Sequence, residues 1–386
     1  MARSFDVLVI GAGIAGASVA ARLAPHRRVA VLEREPMPGY HTTSRSAAFF
    51  TESYGNPTIR ALTRASRAFF EQPETHFEGP LLSGSGGALF IARADQTEAF
   101  DREFGAAREL DPAIIEVTPD EAAERVPVLR PGYVTRAYFE AAGREMEVDR
   151  IHQGWLRTLR AHGGETVCNA EVRAIERRHG EWQADTPQGA FQAPVLINAA
   201  GAWCDVIARM AGCRPIGLMP KRRTAIVFAA PPDVDIGAWP VTLDVEEAFY
   251  FRPDAGRILA SPADETDSPP CDAQPEELDI AIVAQRIQLA TTLKVERIQN
   301  RWAGLRSFVA DRTLVIGEDP GQPGFFWLAG QGGYGIMTSP AAAAACTALV
   351  TGSAWPTELA AERLAPETFA VTRPGLGPGR ESPSTD

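Results

Sequence analysis

Residues 5–16 read FDVLVIGAGIAG, and this stretch decides the fold. Phe5 to Ile10 is a short apolar run of strand type, ended by Gly11. Ile14 to Leu23 then has helical composition and is closed by Pro25, and Arg28 to Glu33 is a second strand. A strand, glycine turn, helix and strand within about 30 residues open a doubly wound sheet. Gly11 permits the tight turn, Gly13 lets a pyrophosphate approach the backbone, and Gly16 lets the helix pack on the strand. The helix N-terminus, with Ile14 and Ala15, offers free N–H groups and partial positive charge to phosphates. Glu33, beside Arg34, ends the second strand where an acid accepts hydrogen bonds from an adenosine ribose.

Working outward, Asp149 to His162 reads as an amphipathic helix stopped by Gly163-Gly164. Strand-like pieces follow at Val167 to Arg173, Glu181 to Thr186, and Phe191-Gln192 into Val195 to Ala199, before a helix from Trp203 to Met210. Arg222 to Ser261 alternates like antiparallel strands, with a turn at Pro253 to Gly256. Glu276 to Leu293 is helical. Strands recur at Thr313 to Ile316 and Phe325 to Ala329, and a second glycine turn, Gly330 to Gly335, opens an alanine-rich helix. Ser83 to Arg136 resists assignment.

The chain has 386 residues and a net charge of −11, with short, scattered basic clusters, so nucleic acid is not an expected partner. No apolar run is long enough to span a bilayer and no leader-like segment is evident, so a cytoplasmic location is expected. Five cysteines without a Cys-x-x-Cys pair, and histidines without ligand spacing, point to reduced thiols and no metal.

The glycine turn alone serves NAD or FAD. The fingerprint's position at the N-terminus, the polar run Thr42-Thr43-Ser44-Arg45-Ser46 and the second glycine turn favour FAD. Further stretches carry a resemblance: GYHTTSRSAAFFTESY (39–54), NAAGAWCD (198–205), PKRR (220–223), FYFRPDAG (249–256), WAGLRSFVAD (302–311) and GQGGYGI (330–336). Together with the first turn they resemble the D-amino-acid oxidase superfamily, which includes glycine and sarcosine oxidases. Within it the chain is most similar to the D-arginine dehydrogenases.

The resemblance implies an α/β fold: a Rossmann-like FAD-binding domain (1–82, 146–218 and 303–370) interleaved with an antiparallel-sheet substrate domain (83–145 and 219–302). The end of the chain, 371–386, is rich in Pro, Gly and Ser and is expected to be a disordered tail. It implies that Thr42 to Ala48, with Ala47 among them, and Phe49 line the FAD pyrophosphate and flavin. Val172 would contact the adenine end, with Ala200, Gly201 and Trp203 also on the cofactor. Gly304 and the run Gly332, Gly333, Tyr334, Gly335, Ile336, Met337 and Thr338 would close over the flavin. Arg223 and Arg306, joined by Tyr54 and Tyr250, would hold a substrate carboxylate, and the Gly333 carbonyl would face the amine. In an alternating strand Arg222 and Arg223 face opposite ways, as do Tyr250 and its phenylalanine neighbours. No cysteine lies between Arg306 and Thr313, so FAD is expected to be non-covalent.

The expected reaction is FAD-dependent oxidative deamination of a D-amino acid to a 2-oxo acid through an imine, with Tyr54 acting through a water as a conceivable base. O2 and a quinone both remain open as the electron acceptor. A secondary-amine or glycine-type oxidase, a non-catalytic flavin-binding protein and an NAD-dependent dehydrogenase are the alternatives. The chain departs from D-arginine dehydrogenases at two positions. Gly87 replaces a glutamate that would pair with the substrate guanidinium, and Phe49 replaces a histidine. Unless Glu78, Asp244 or Glu246 substitutes, smaller or apolar D-amino acids, or a cyclic or secondary amine acid, are expected instead of D-arginine.

Overall fold

The computed structural model describes residues 2–84, 86–232 and 234–376. A six-stranded sheet runs, in spatial order, Glu165–Val167, Val29–Leu32, Val7–Ile10, Val195–Asn198, Phe325–Ala329 and Val315–Glu318. All its pairings are parallel except that of the last two strands. Val7–Ile10, Val29–Leu32 and Phe325–Ala329 are apolar at every position because they are covered on both faces. Val7, Val9, Val29 and Val31 join one core; Leu8, Ile10, Ala30 and Leu32 join the other. The first core holds the helices Ile14–Leu23, Val148–Ala161 and Ser339–Thr351. A four-stranded sheet (Arg3–Ser4, Gly189–Ala193, Glu181–Thr186, Ala174–Arg178) adjoins the second.

The other large sheet has nine strands. The path runs Thr266–Asp267, Met219–Ala229, Arg257–Ser261, Tyr250–Asp254, Val241–Asp244, Ala88–Ala92, Arg136–Glu140 and Ile115–Val117, and Ile298–Phe308 pairs with Met219–Ala229. Its pairings are antiparallel except for Val241–Asp244 with Ala88–Ala92. One face, carrying Ile226, Phe228, Phe249, Phe251 and Ile258, is covered by the helix Glu277–Ala290. The opposite face fronts the cavities described below.

Three expectations are corrected. The stretch Val167 to Arg173 is not a strand: the strand is Glu165–Val167, and Asn169 turns the chain at φ 51°. The 11-residue strand Ile298–Phe308 crosses the expected domain boundary at 303 and stays in the nine-stranded sheet throughout. The first part of the expected tail is packed: Arg373 pairs with Asp311 at 2.7 Å and Leu376 is buried. Residues 377–386 of that tail lie outside the described residues.

Candidate active site

The first glycine turn is tied down from three sides. The Ala12 N–H donates to the Glu33 carboxylate at 2.8 Å, the Ile14 N–H to Thr43 Oγ1 at 3.0 Å, and His152 Nε2 bonds the Ala12 carbonyl at 2.8 Å. A Cβ on Gly16 would stand 1.9 Å from the Gly11 carbonyl oxygen, and one on Gly11 2.6 Å from that of Ala199. The turn therefore accepts no side chain at either place. Burial raises the Glu33 carboxyl above its ordinary value, against the pull of the Glu35 and Ala12 N–H groups.

From this turn a cleft of about 230 Å³ runs between the two large sheets. At one end lie Glu33, Arg34, Val172, Ala200, Gly201 and Trp203, with the Arg34 guanidinium 4.9 Å from the Trp203 ring centroid. Gly11, Gly13, Ile14, Ala15, Thr42, Thr43, Arg45, Ser46 and Ala47 form its middle. Gly304, Arg306, Gly332, Gly333, Gly335, Ile336, Arg223 and Tyr250 form the other end. Sequence reading missed His41, Glu171, Val206, Met210, Ala225 and Gln331, which also line it. A long, largely apolar cleft with a glycine cradle and a helix N-terminus at its middle fits an extended dinucleotide.

The side chains of several expected cofactor residues are engaged within the protein. Ser44 donates to the Tyr40 carbonyl at 3.0 Å, and Thr338 to that of Tyr334 at 2.9 Å. Arg45 spends its guanidinium on Asp272 and on the Ala273 and Ala303 carbonyls. Gly16 is a packing glycine, and buried Tyr334 packs edge-on against Tyr54.

At its Arg306 end the cleft meets a second chamber of about 80 Å³. Ser46, Ala47, Arg223, Tyr250, Arg306 and Gly333 line both. Ala48, Phe49, Thr51, Tyr54, Val241, Leu243, Met337, Glu247 and Arg252 belong to the chamber alone.

Strand pairing builds the junction. Arg223 stands opposite Gly304, and Arg306 lies two residues along from Gly304, so both arginines share one face of the sheet. Arg222, opposite Leu305, points the other way and pairs with Glu276 and Asp279. Arg223 donates to the Asp264 carbonyl at 2.8 Å and reaches Glu265 at 3.4 Å. Among the described residues Arg306 makes no side-chain hydrogen bond, and a Cβ on Gly333 would stand 2.9 Å from its Nη1. Burial, then the neighbouring Arg306 charge, lowers the Arg223 guanidinium below its ordinary value. Two guanidinium groups crowded on one wall form a site for an anion, and a carboxylate matches their fork.

The Tyr54 phenol is 3.3 Å from Glu247 Oε2 and donates to it. Burial first, then the Glu247 charge, holds Tyr54 far above the ordinary tyrosine range. The phenol that could relay a proton through a water is thus placed as a hydrogen-bond donor to Glu247.

No acid replaces the one missing at position 87 in the way expected. Glu78 is exposed, 3.9 Å from Arg157; Asp244 is bound by Arg93 and Gln96, and Glu246 by Gln96. The chamber's acid is Glu247, which sequence reading passed over. Gly87 itself holds φ +68°, and a Cβ there would meet the Glu140 carbonyl and the Phe139 ring at 2.7 Å.

All five cysteines are free, and burial raises the Cys204 thiol, so it is no nucleophile. Among the described residues no group of three His, Cys, Asp or Glu side chains is placed to hold a metal, and no helix is long and apolar enough to cross a membrane.

This fold and cleft define a dinucleotide-binding protein. Residues 6–349 match the DAO family of FAD dependent oxidoreductases, and the chain belongs to that family. It is 23% identical to FAD-dependent oxidoreductase domain-containing protein 1 of Xenopus laevis, over 91% of this chain and 80% of that one. It is 23% identical to glycine oxidase of Geobacillus kaustophilus, over 88% of this chain and 91% of that one. The crystal structure of that oxidase superposes with a TM-score of 0.81, covering 96% of this chain and 99% of the oxidase. L-proline dehydrogenase from P. horikoshii superposes with a TM-score of 0.80 at 20% identity, covering 98% and 100%.

Proposed function

We propose that the chain oxidises the C–N bond of a D-configured α-amino acid, yielding an imine that water converts to a 2-oxo acid and ammonia. The observation that carries this reading is the crowding of Arg223 and Arg306 where the cofactor cleft meets a small chamber. Bound FAD supplies the two-electron acceptor. Arg306 and Arg223 hold the α-carboxylate in two parallel charge-assisted hydrogen bonds, and Tyr250 flanks it. The Gly333 carbonyl, beside Arg306, accepts from the substrate amine. An amine must be neutral to release electrons, so the reactive form is the deprotonated one. The side chain extends into the chamber along Phe49, Val241, Leu243 and Met337.

Position 87 offers no acid, and Glu247 is engaged with Tyr54 and faces the two arginines. A guanidinium side chain would lack a free partner there. We therefore infer a preference for side chains shorter or less basic than that of D-arginine, despite the sequence resemblance to D-arginine dehydrogenases. A small secondary amine acid is the second reading, and the chamber's small volume favours it.

Turnover with an artificial electron acceptor tests both. D-alanine, D-leucine and D-methionine should each yield one 2-oxo acid and one ammonia per acceptor reduced by two electrons. Turnover confined to sarcosine-like or cyclic amines would replace the first reading with the second.

A further inference from the structure

Tyr250 and Arg252 lie two residues apart on one strand and so share the face that fronts the chamber. Phe251, between them, fills the core on the other face. The step from Tyr250 to Arg252 is roughly 6.5–7 Å along the strand. That is the reach of a glutamine-length side chain, not of alanine.

Arg252 is held in place from outside the chamber. Its Nη1 pairs with Glu145 at 2.9 Å and donates to the Pro253 carbonyl at 3.2 Å, and its Nη2 lies 3.7 Å from Asp254. Its side chain is only 12% exposed, and its Nε is buried without a hydrogen-bond acceptor among the described residues. A buried N–H left without an acceptor is costly, and a ligand that satisfies it gains affinity. The chamber wall on the way to Arg252 is apolar, at Phe49, Val241 and Leu243. The arrangement suits an aliphatic stem ending in an acceptor.

We propose that Arg252 determines side-chain specificity by donating to a terminal hydrogen-bond acceptor, a carboxamide or a carboxylate, on the substrate side chain. This rests on the reading of Arg223 and Arg306 as the α-carboxylate clamp. Glu145 already meets the Arg252 charge, so the carboxamide is the better ligand.

The test titrates the oxidised, FAD-loaded protein with acids that carry no amine and cannot reduce it, following perturbation of the visible flavin band. The acids are acetate, 5-methylhexanoate, glutarate, and glutaramate, which matches 5-methylhexanoate in shape but ends in a carboxamide. Glutaramate should bind about tenfold more tightly than 5-methylhexanoate, the effect of one well-made hydrogen bond. Arg252→Leu should abolish that preference while weakening acetate far less, and Arg252→Lys should keep part of it. Tighter binding of glutarate than of glutaramate would support Arg252 as the reader and assign the carboxylate as its ligand. Equal binding of glutaramate and 5-methylhexanoate by the unaltered protein would overturn the proposal, whether or not the variants fold. So would an Arg252→Leu effect of the same size on every acid, acetate included. If no acid perturbs the band, the carboxylate clamp itself fails, and the role of Arg252 falls with it. Turnover of D-alanine alongside preference-free binding would reject Arg252 and retain the reaction.

Discussion

Arg223 and Arg306 face one cavity from neighbouring strands, Arg223 opposite Gly304 and Arg306 two residues further along. Arg223 is anchored by the Asp264 carbonyl, whereas Arg306 has no hydrogen-bond partner among the described residues and rests against Gly333. On the proposed reading, Arg306 is the freer of the two guanidinium groups to meet the substrate carboxylate. Arg306→Leu should lower kcat/KM for every accepted amino acid by at least about 30-fold, the loss expected when one member of a buried charge pair is removed. Flavin content should stay unchanged, because no backbone of the glycine cradle moves. Steady-state kinetics with a measured flavin-to-protein ratio checks this.

Glu265 supports Arg223 at second hand. Arg312 clamps both Glu265 oxygens, at 3.0 and 2.7 Å, and Glu265 in turn reaches Arg223 at 3.4 Å. The pair is partly solvent-exposed, so its effect is modest. Glu265→Gln should raise KM roughly threefold, with kcat within a factor of about two. A kcat loss with KM intact would place Glu265 elsewhere in the mechanism.

The two turn glycines should fail differently. At Gly16 a methyl group would overlap the Gly11 carbonyl, so Gly16→Ala should not yield folded protein. At Gly13 the nearest atom to a new Cβ is Thr43 Oγ1, at 3.2 Å, and a side chain there can give. Gly13→Ala should fold, with a near-native far-ultraviolet circular dichroism spectrum, yet purify depleted of flavin.

Glu140 gives a pH-dependent stability. It is buried, accepting from Thr51 Oγ1 at 2.8 Å and Ser53 Oγ at 2.5 Å, and burial raises its carboxyl above the ordinary glutamate range despite those donors. A folded-state pKa above the unfolded one means the native state holds the proton more tightly. Its contribution is full below the ordinary glutamate pKa and is lost as pH rises through the folded value. Urea midpoints of the unaltered protein and of Glu140→Gln, measured from pH 4 to pH 8, should diverge as pH rises, the unaltered protein losing ground. A difference independent of pH would show that Glu140 titrates alike in both states.

The first turn was legible because several local signals coincide: an apolar strand, three spaced glycines, a helix and an acid at Glu33. Strand alternation, a local rule, set Arg222 and Arg223 on opposite faces, and the family resemblance picked Arg223. The Ser83 to Arg136 region was not legible because Ala88–Ala92 is buried at all five positions and shows no alternation. Its partners, Val241–Asp244 and Arg136–Glu140, lie far away in sequence. Ile298–Phe308 escaped notice because Gln299, Asn300 and Arg301 in its first half are exposed and polar, and its pairing with Met219–Ala229 shifts register at Val227/Phe228. Glu247 was hidden among neighbouring acids. A positive φ of 56° at this residue accompanies its aim into the chamber, while Glu246 and Asp244 turn to Gln96. Only the folded turn tells them apart.

Anaerobic mixing of the FAD-loaded protein with matched D- and L-amino acids is the most direct measurement. The visible flavin band should bleach with D-alanine, D-leucine and D-methionine, faster than with D-arginine, and persist with the L-isomers. Bleaching by L-isomers, or by no amino acid at all, would contradict the assignment of Arg223 and Arg306 to the carboxylate of a D-amino acid.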